Sequence, residues 1–197
     1  QSLLLLEQEI KNIQSSKLII YGFMDHHLER NVARGEWLGV LLKYSNNGFD
    51  QKPKVPYATI DKNKNLKIHP PIGYITLPFR EISSLVTTIE KIYMKQTTRH
   101  RKKIQQEVLN KIISRMSKIS KSLDSNFIVV NLSSNDKASD IVLRNYLNKN
   151  KINYVDCRIE LKDKYLVPGE HHPSKKAHTF YNNCLIDYIL KEKILLF

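Results

Sequence analysis

Lys17-Leu-Ile-Ile-Tyr-Gly-Phe23 is a short, almost continuous apolar run. A strand with one wet face alternates apolar and polar residues. A run without alternation marks a strand covered on both faces, as in a parallel sheet. It ends in the polar cluster Asp25-His26-His27-Leu28-Glu29-Arg30-Asn31. Open α/β sheets take their ligands just beyond the carboxyl ends of parallel strands, so this cluster is the first candidate site.

Two further strands follow the same logic. Phe127-Ile-Val-Val-Asn-Leu132 is a second buried run, and Asn153-Tyr-Val-Asp-Cys157 is a shorter third, expected nearer an edge. Helical periods separate them. Leu3, Leu6, Ile10 and Ile13 predict a first helix, stopped by Gln14-Ser15-Ser16. Ile82, Leu85, Val86 and Ile89 predict another, and Ile104, Val108, Ile112, Met116, Ile119 and Leu123 a longer one with a single apolar stripe. Ser139 or Asp140 caps a helix that carries Ile141, Leu143, Tyr146 and Leu147 and ends at Asn150. The last helix starts at Pro173-Ser174 and packs through Ala177, Tyr181, Cys184, Leu185 and Tyr188.

Strands alternating with helices in this order predict an α/β fold, a three-layer α/β/α sandwich around a mostly parallel sheet. Residues 43–80 interrupt it. Pro53, Pro56, Pro70, Pro71 and Pro78 exclude a long helix there, and Tyr57-Ala-Thr-Ile60 and Leu66-Lys-Ile-His69 alternate around an Asp61-Lys-Asn-Lys-Asn65 turn. That segment reads as an inserted β-hairpin on the rim of a single domain spanning residues 1–197.

A chain of 197 residues, 41% apolar and 26% charged with few Gly and Pro, buries a real core and is neither disordered nor fibrous. Its formal charge of +13 leaves two readings: an anionic partner, or a Lys-rich proteome whose proteins are basic without binding anything. No apolar run approaches the roughly 20 residues of a membrane span, and the opening residues carry no signal-peptide pattern. The first residue is Gln1, inside an apolar helical pattern, which reads as a processed or truncated piece of something longer. Cys157 and Cys184 lie far apart without a Cys-x-x-Cys partner and fit buried small hydrophobes better than a metal site or redox pair.

Candidate chemistry concentrates in Val167-Pro-Gly-Glu-His-His-Pro-Ser-Lys-Lys-Ala-His178. A carboxylate and an imidazole two residues apart on extended chain face the same way, which suits Glu170 orienting His172 as a general base. Pro173 holds the His172 backbone extended. A solvated loop or helix-entry turn is the plainer reading of the same residues. Metal binding is disfavoured, because adjacent histidines rarely chelate one ion together and no His-x-x-x-His spacing occurs nearby. His69 and His100 read as isolated and solvated. Between residues 99 and 121 lie eight Lys and Arg against Glu107 alone, a basic helix face that is either solvated or an anion-binding surface. No aromatics interleave with it, which argues against single-stranded nucleic acid.

The tail Pro168-Gly-Glu-His-His-Pro-Ser-Lys-Lys-Ala-His178 resembles the last block of the SGNH (GDSL-type) ester hydrolases, where an acidic residue, a short spacer and His-Pro precede the final helix. Ala177-His178 stands where that family often has Gly-His. Leu18-Ile-Ile-Tyr-Gly-Phe-Met-Asp25 looks like the family's central strand running into its Gly-x-Asn-Asp block. The resemblance spans roughly residues 1 to 191. It implies a flavodoxin-like sandwich that hydrolyses or transfers an acyl ester through a serine nucleophile, without a cofactor or metal. His172 would be the base and Glu170 the orienting acid, with His171 a neighbour. The family more often has Asp three residues before the His, where this chain has Gly169.

The nucleophile departs further from the pattern. None of the six glycines is followed by Asp-Ser or begins Gly-x-Ser-x-Gly. The resemblance therefore places the serine, the first strand and a glycine oxyanion donor upstream of Gln1, and implies an unpaired strand edge without them. The oxyanion block Gly22-Phe23-Met24-Asp25 has Met where the family's Asn donates an N–H, and a thioether cannot donate. His26 or His27 is then the candidate donor, and Arg30 and Asn31 the candidates for an anionic or sugar-like substrate. The competing reading of this cluster is a helix N-terminus capped by Asp25. By family analogy the substrate is an O-acetylated carbohydrate or a small ester, and the setting a cell envelope. The rival function is a non-catalytic SGNH-like module holding an anionic partner through the basic helix 99–121.

Overall fold

The computed structural model describes residues 1–13, 15–45, 52–133, 138–170 and 172–194. Helix α1 is Ser2–Glu9, strand β1 Leu18–Phe23, α2 His27–Asn31 and α3 Gly35–Ser45. Strands β2 (Val55–Ile60) and β3 (Leu66–Ile72) precede a long helix, α4 (Ser84–Ser122). Then come β4 (Asn126–Asn131), α5 (Ala138–Lys149), β5 (Asn153–Asp156), a 3₁₀ turn at Asp163–Tyr165 and α6 (Lys175–Lys191). The fold is mixed α/β, with a parallel three-stranded sheet ordered β1-β4-β5 and a separate antiparallel pair β2-β3. The chain divides into two compact units, one of Gln1 and His26–Ile112, the other of Ser2–Asp25 and Ile113–Phe197.

The second unit holds the parallel sheet. Strand β4 is its middle strand, pairing Ile19 with Phe127 on one side and Val130 with Val155 on the other. Phe127 to Asn131 are all buried, so both faces of β4 are covered, as its apolar run requires. One face packs Ile128, Val130 and Val155 against Ala177 and Tyr181 of α6. Strand β1, expected to be covered on both faces, is instead an edge strand among the described residues, and Ile20 is 44% exposed. Strand β5 is the short opposite edge, as expected.

The cysteines correct the sequence reading. Cys157, just past β5, and Cys184 on α6 are disulfide-bonded, their Cα atoms 5.8 Å apart. Cys157 is fully enclosed, as a small hydrophobe would be, and Cys184 is half-buried, but what joins them is covalent.

In the first unit the hairpin forms where its turn chemistry predicts. The Asp61 carboxylate accepts the N–H groups of Asn63 and Asn65, and Lys64 takes a positive φ. Pro56 on β2 and Pro70-Pro71 on β3 donate no hydrogen bonds, and the register becomes irregular between Val55 and Tyr57. A two-stranded sheet tolerates this because each strand has a free edge. The core gathers Ala33, Leu38, Val55 and Met94. Gly35 is required here, because a Cβ on it would lie 2.8 Å from the Met94 carbonyl oxygen. His69 is not isolated: it hydrogen-bonds Thr59 Oγ1 at 2.7 Å and stacks on Tyr57.

Helix α4 merges the two helices expected at 82–89 and 104–123. Ser83 caps it, its hydroxyl accepting the Val86 N–H at 3.4 Å and its carbonyl the Thr87 N–H. The stripe Val108, Ile112 and Met116 is buried as predicted, whereas Ile82, Leu85 and Ile89 are 83%, 67% and 49% exposed. Within the basic stretch, Arg101 donates to the Ala33 carbonyl at 2.8 Å and stacks on Tyr57, and Arg115 pairs with Glu7. Two of its eight cations therefore serve the fold. No helix among the described residues is long and apolar enough to cross a membrane.

Candidate active site

Glu170 and His172 sit on a tight turn built by Val167-Pro-Gly-Glu170. Proline at its second position fixes φ, Gly169 takes the positive φ of 77° that the third position requires, and the Glu170 N–H closes the turn on the Val167 carbonyl at 3.0 Å. This is the geometry of a type II turn. The flanks pair for two further rungs, Val167 N–H to the His172 carbonyl at 2.9 Å and Ser174 N–H to the Tyr165 carbonyl at 2.7 Å, and Leu166 bridges Pro173 antiparallel. Ser174 then begins α6 as its N-terminal flanking residue.

On this small hairpin His172 Nδ1 lies 3.2 Å from Glu170 Oε2. The side chains are 80% and 60% exposed. A carboxylate on Nδ1 holds the proton there and leaves Nε2 with the lone pair, the tautomer a general base needs. The turn lies inside the loop closed by Cys157 and Cys184, so disulfide, 3₁₀ turn and α6 together fix its stem. His171 lies outside the described residues.

Gly22 pairs with Val130, and a Cβ on it would lie 3.3 Å from Leu132. Asp25 is half-buried, and the residue that flanks α2 is His26, which makes no side-chain capping bond. The rings of His26 and His27 meet edge to face at 4.9 Å. Arg30 lies over the Trp37 ring at 4.1 Å, and its Nε and the Asn31 Nδ2 are buried without a hydrogen-bond partner among the described residues. Gly22, Asp25, Glu170 and His172 belong to the second unit; His26, His27, Arg30 and Asn31 belong to the first.

Burial, reinforced by His26 and Arg30, pushes His27 down from 6.5 to about 4. A neutral imidazole at pH 7 is a hydrogen-bond donor without charge. Because the folded pKa lies below the unfolded one, the unfolded chain binds the extra proton first. Stability is full above about pH 6.5 and is lost as pH falls toward about 4, by at most about 3 kcal/mol. Urea unfolding at pH 7.5 and 4.5 should show this loss in the wild type and a smaller one in His27→Gln; equal losses would remove burial of His27 as the cause.

Sequence reasoning missed a polar cluster at the carboxyl end of β5. Asp156 receives Arg158 through Nε at 2.7 Å and Nη2 at 2.6 Å, and Arg144 at 2.7 Å. These bonds, chiefly from Arg158, hold the Asp156 carboxyl below its usual value. Arg158 also reaches the buried Asp140 at 3.5 Å. Nearby in the sequence, Ser133 N–H is held by the Asn131 side chain at 3.0 Å, just past β4. An acid at a strand end with Arg two residues on was the available signal. Its mutual neutralisation suits bracing α5 against β5 better than binding a charged ligand.

Among the described residues no three His, Cys, Asp or Glu side chains gather as a metal site would require. Compared with protein-family models, with curated proteins and with solved structures, the chain matches none.

Proposed function

We propose that this chain is the C-terminal majority of an SGNH-type ester hydrolase or acyltransferase with a flavodoxin-like three-layer fold, acting on an acyl ester such as an O-acetylated carbohydrate. The observation that carries this reading is the Glu170 to His172 contact of 3.2 Å on a braced turn following the last strand of a parallel sheet. His172 accepts the proton of a serine hydroxyl as it attacks the ester carbonyl and returns it to the leaving alcohol. Glu170 holds the ring and stabilises the imidazolium. The serine would come from a Gly-Asp-Ser turn on a further strand beside β1, which is an edge strand among the described residues. The disulfide fits an oxidising compartment such as a cell envelope.

In p-nitrophenyl acetate hydrolysis by the protein expressed from its full coding sequence, His172→Ala is expected to lower kcat by about 10³-fold or more. Glu170→Gln should lower it by roughly 10²-fold. Hydrolysis unchanged in His172→Ala removes the enzyme reading. The rival reading, a non-catalytic module that holds an anionic partner through residues 99–121, draws on the net charge of +13. Salt-sensitive retention on an anionic polymer without any esterase activity would favour it.

A further inference from the structure

The first unit carries two adjoining clefts that the proposed chemistry does not use. One, of about 540 Å³, lies between α3 and α4 and is lined by Lys43, Lys91 and Lys95 over an apolar floor of Val40, Tyr74 and Met94. Tyr74 packs close to Gly39, whose absent Cβ would sit 3.4 Å from the ring. The other, of about 440 Å³, is lined by Leu77, Phe79 and Ile82, and the two clefts share Leu42 and Arg80.

The first cleft joins lysines to an apolar floor, and the second, which Lys52, Arg80 and Glu81 also line, borders exposed apolar side chains. Arg80 is paired with Glu90 and Glu81, and Glu36 on the cleft wall is held by Arg34 at 2.8 Å and also feels the charge of Lys95. The lysines at 43, 91 and 95 stand exposed on the same wall. Lys91 and Lys95 stand four residues apart on α4, a like-charged spacing that disfavours a helix unless an anion bridges it. Phe79 and Ile82 are 71% and 83% exposed, and Phe79 is held outward on a strained backbone with φ of 65°. Leu85 and Ile89 continue this surface along the first turns of α4. A second copy of the chain joined through this surface by a twofold axis would bring the same lysines toward their own images. An anion with an apolar body satisfies both halves.

We propose that this bipartite cleft binds an anionic amphiphile, a phosphate or carboxylate head against Lys43, Lys91 and Lys95 with its alkyl chain along Phe79 and Ile82. The head replaces lysine repulsion by charge-assisted hydrogen bonds, and the chain removes the exposed side chains from water. The site is independent of Glu170 and His172.

Isothermal titration of the whole chain with dodecyl phosphate, kept below its micellar concentration, tests the proposal. Binding should weaken about tenfold or more in Lys91→Glu/Lys95→Glu and, separately, in Ile82→Asp, all exposed positions where circular dichroism can confirm the fold. Inorganic phosphate and neutral dodecyl maltoside should each bind at least about tenfold more weakly than dodecyl phosphate. Vesicles of phosphatidylglycerol, compared with phosphatidylcholine, identify the source. If they bind and the same variants weaken binding, the head belongs to a bilayer lipid; if only the monomer binds, the ligand is free. Equal affinity for inorganic phosphate or for the maltoside, or binding that neither variant alters, overturns the proposal. So does the absence of binding in every arm. Self-association that Ile82→Asp abolishes, without amphiphile binding, would assign the surface to a second copy instead.

Discussion

Removing the Cys157–Cys184 disulfide is expected to destabilise the second unit by about 3.5 kcal/mol, the loop entropy returned to the unfolded chain when a closure of some 27 residues is released. The location supports the full effect. Cys157 is completely buried among Val130, Val155 and Tyr181, and its partner lies on the packed face of α6, so the bond joins two elements that already touch. Serine at position 157 would add a buried hydroxyl, costing about 1–3 kcal/mol more if it finds no partner. Cys157→Ala/Cys184→Ala isolates the crosslink. Urea unfolding of that variant, and of the wild type with and without reductant, should agree on the loss. The loop that carries Glu170 and His172 should also become the first site of proteolysis, because its stem then rests on two hairpin rungs and the packing of α6. Equal midpoints with and without reductant would show that the bond adds nothing to the fold.

The disulfide was invisible in the sequence for a physical reason. Pairing requires Cα atoms within about 7 Å and converging Cβ vectors, and for residues 27 apart that follows from how α6 packs on β5, which no local pattern encodes. Features with local causes were legible. The Asp61 turn, the hairpin, the buried run of β4 and the start of α6 all follow from turn chemistry or periodicity. The proximity of Glu170 and His172 accords with their two-residue spacing, and the turn that positions Glu170 is marked by Pro168-Gly169. The continuity of α4 was hidden because its buried face in the first unit is written in Glu90, Met94 and Thr98, four residues apart, two of them polar. The apolar stripe of Ile82, Leu85 and Ile89 marked the opposite, solvent-facing side. Helical period was present in both, but the face that packs could not be read from hydrophobicity.

Glu90 is therefore where the second large effect is expected. Its carboxylate is fully buried, accepts the Leu77 N–H at 2.8 Å and faces Arg80 at 3.5 Å. Tyr74 lies beside it, its phenol pushed up by burial and by the Glu90 charge. Such a pair adds little net stability, because desolvation offsets attraction, but breaking it leaves a buried charge or donor unmatched and costs about 3–5 kcal/mol. Glu90→Ala should lose that much in the first unit, since it orphans the Leu77 N–H and opens a cavity, whereas Glu90→Gln keeps an acceptor and should lose about 1–2 kcal/mol. Arg80→Leu separates charge from hydrogen bonding. Without the guanidinium, the buried carboxylate keeps the Leu77 N–H but loses its counter-ion, so Arg80→Leu should lose about 3–5 kcal/mol at pH 7. Urea unfolding of the three variants at pH 7 measures the ranking. A loss in Arg80→Leu no larger than that of Glu90→Gln would mean that Glu90 anchors the Leu77 backbone without needing its counter-ion.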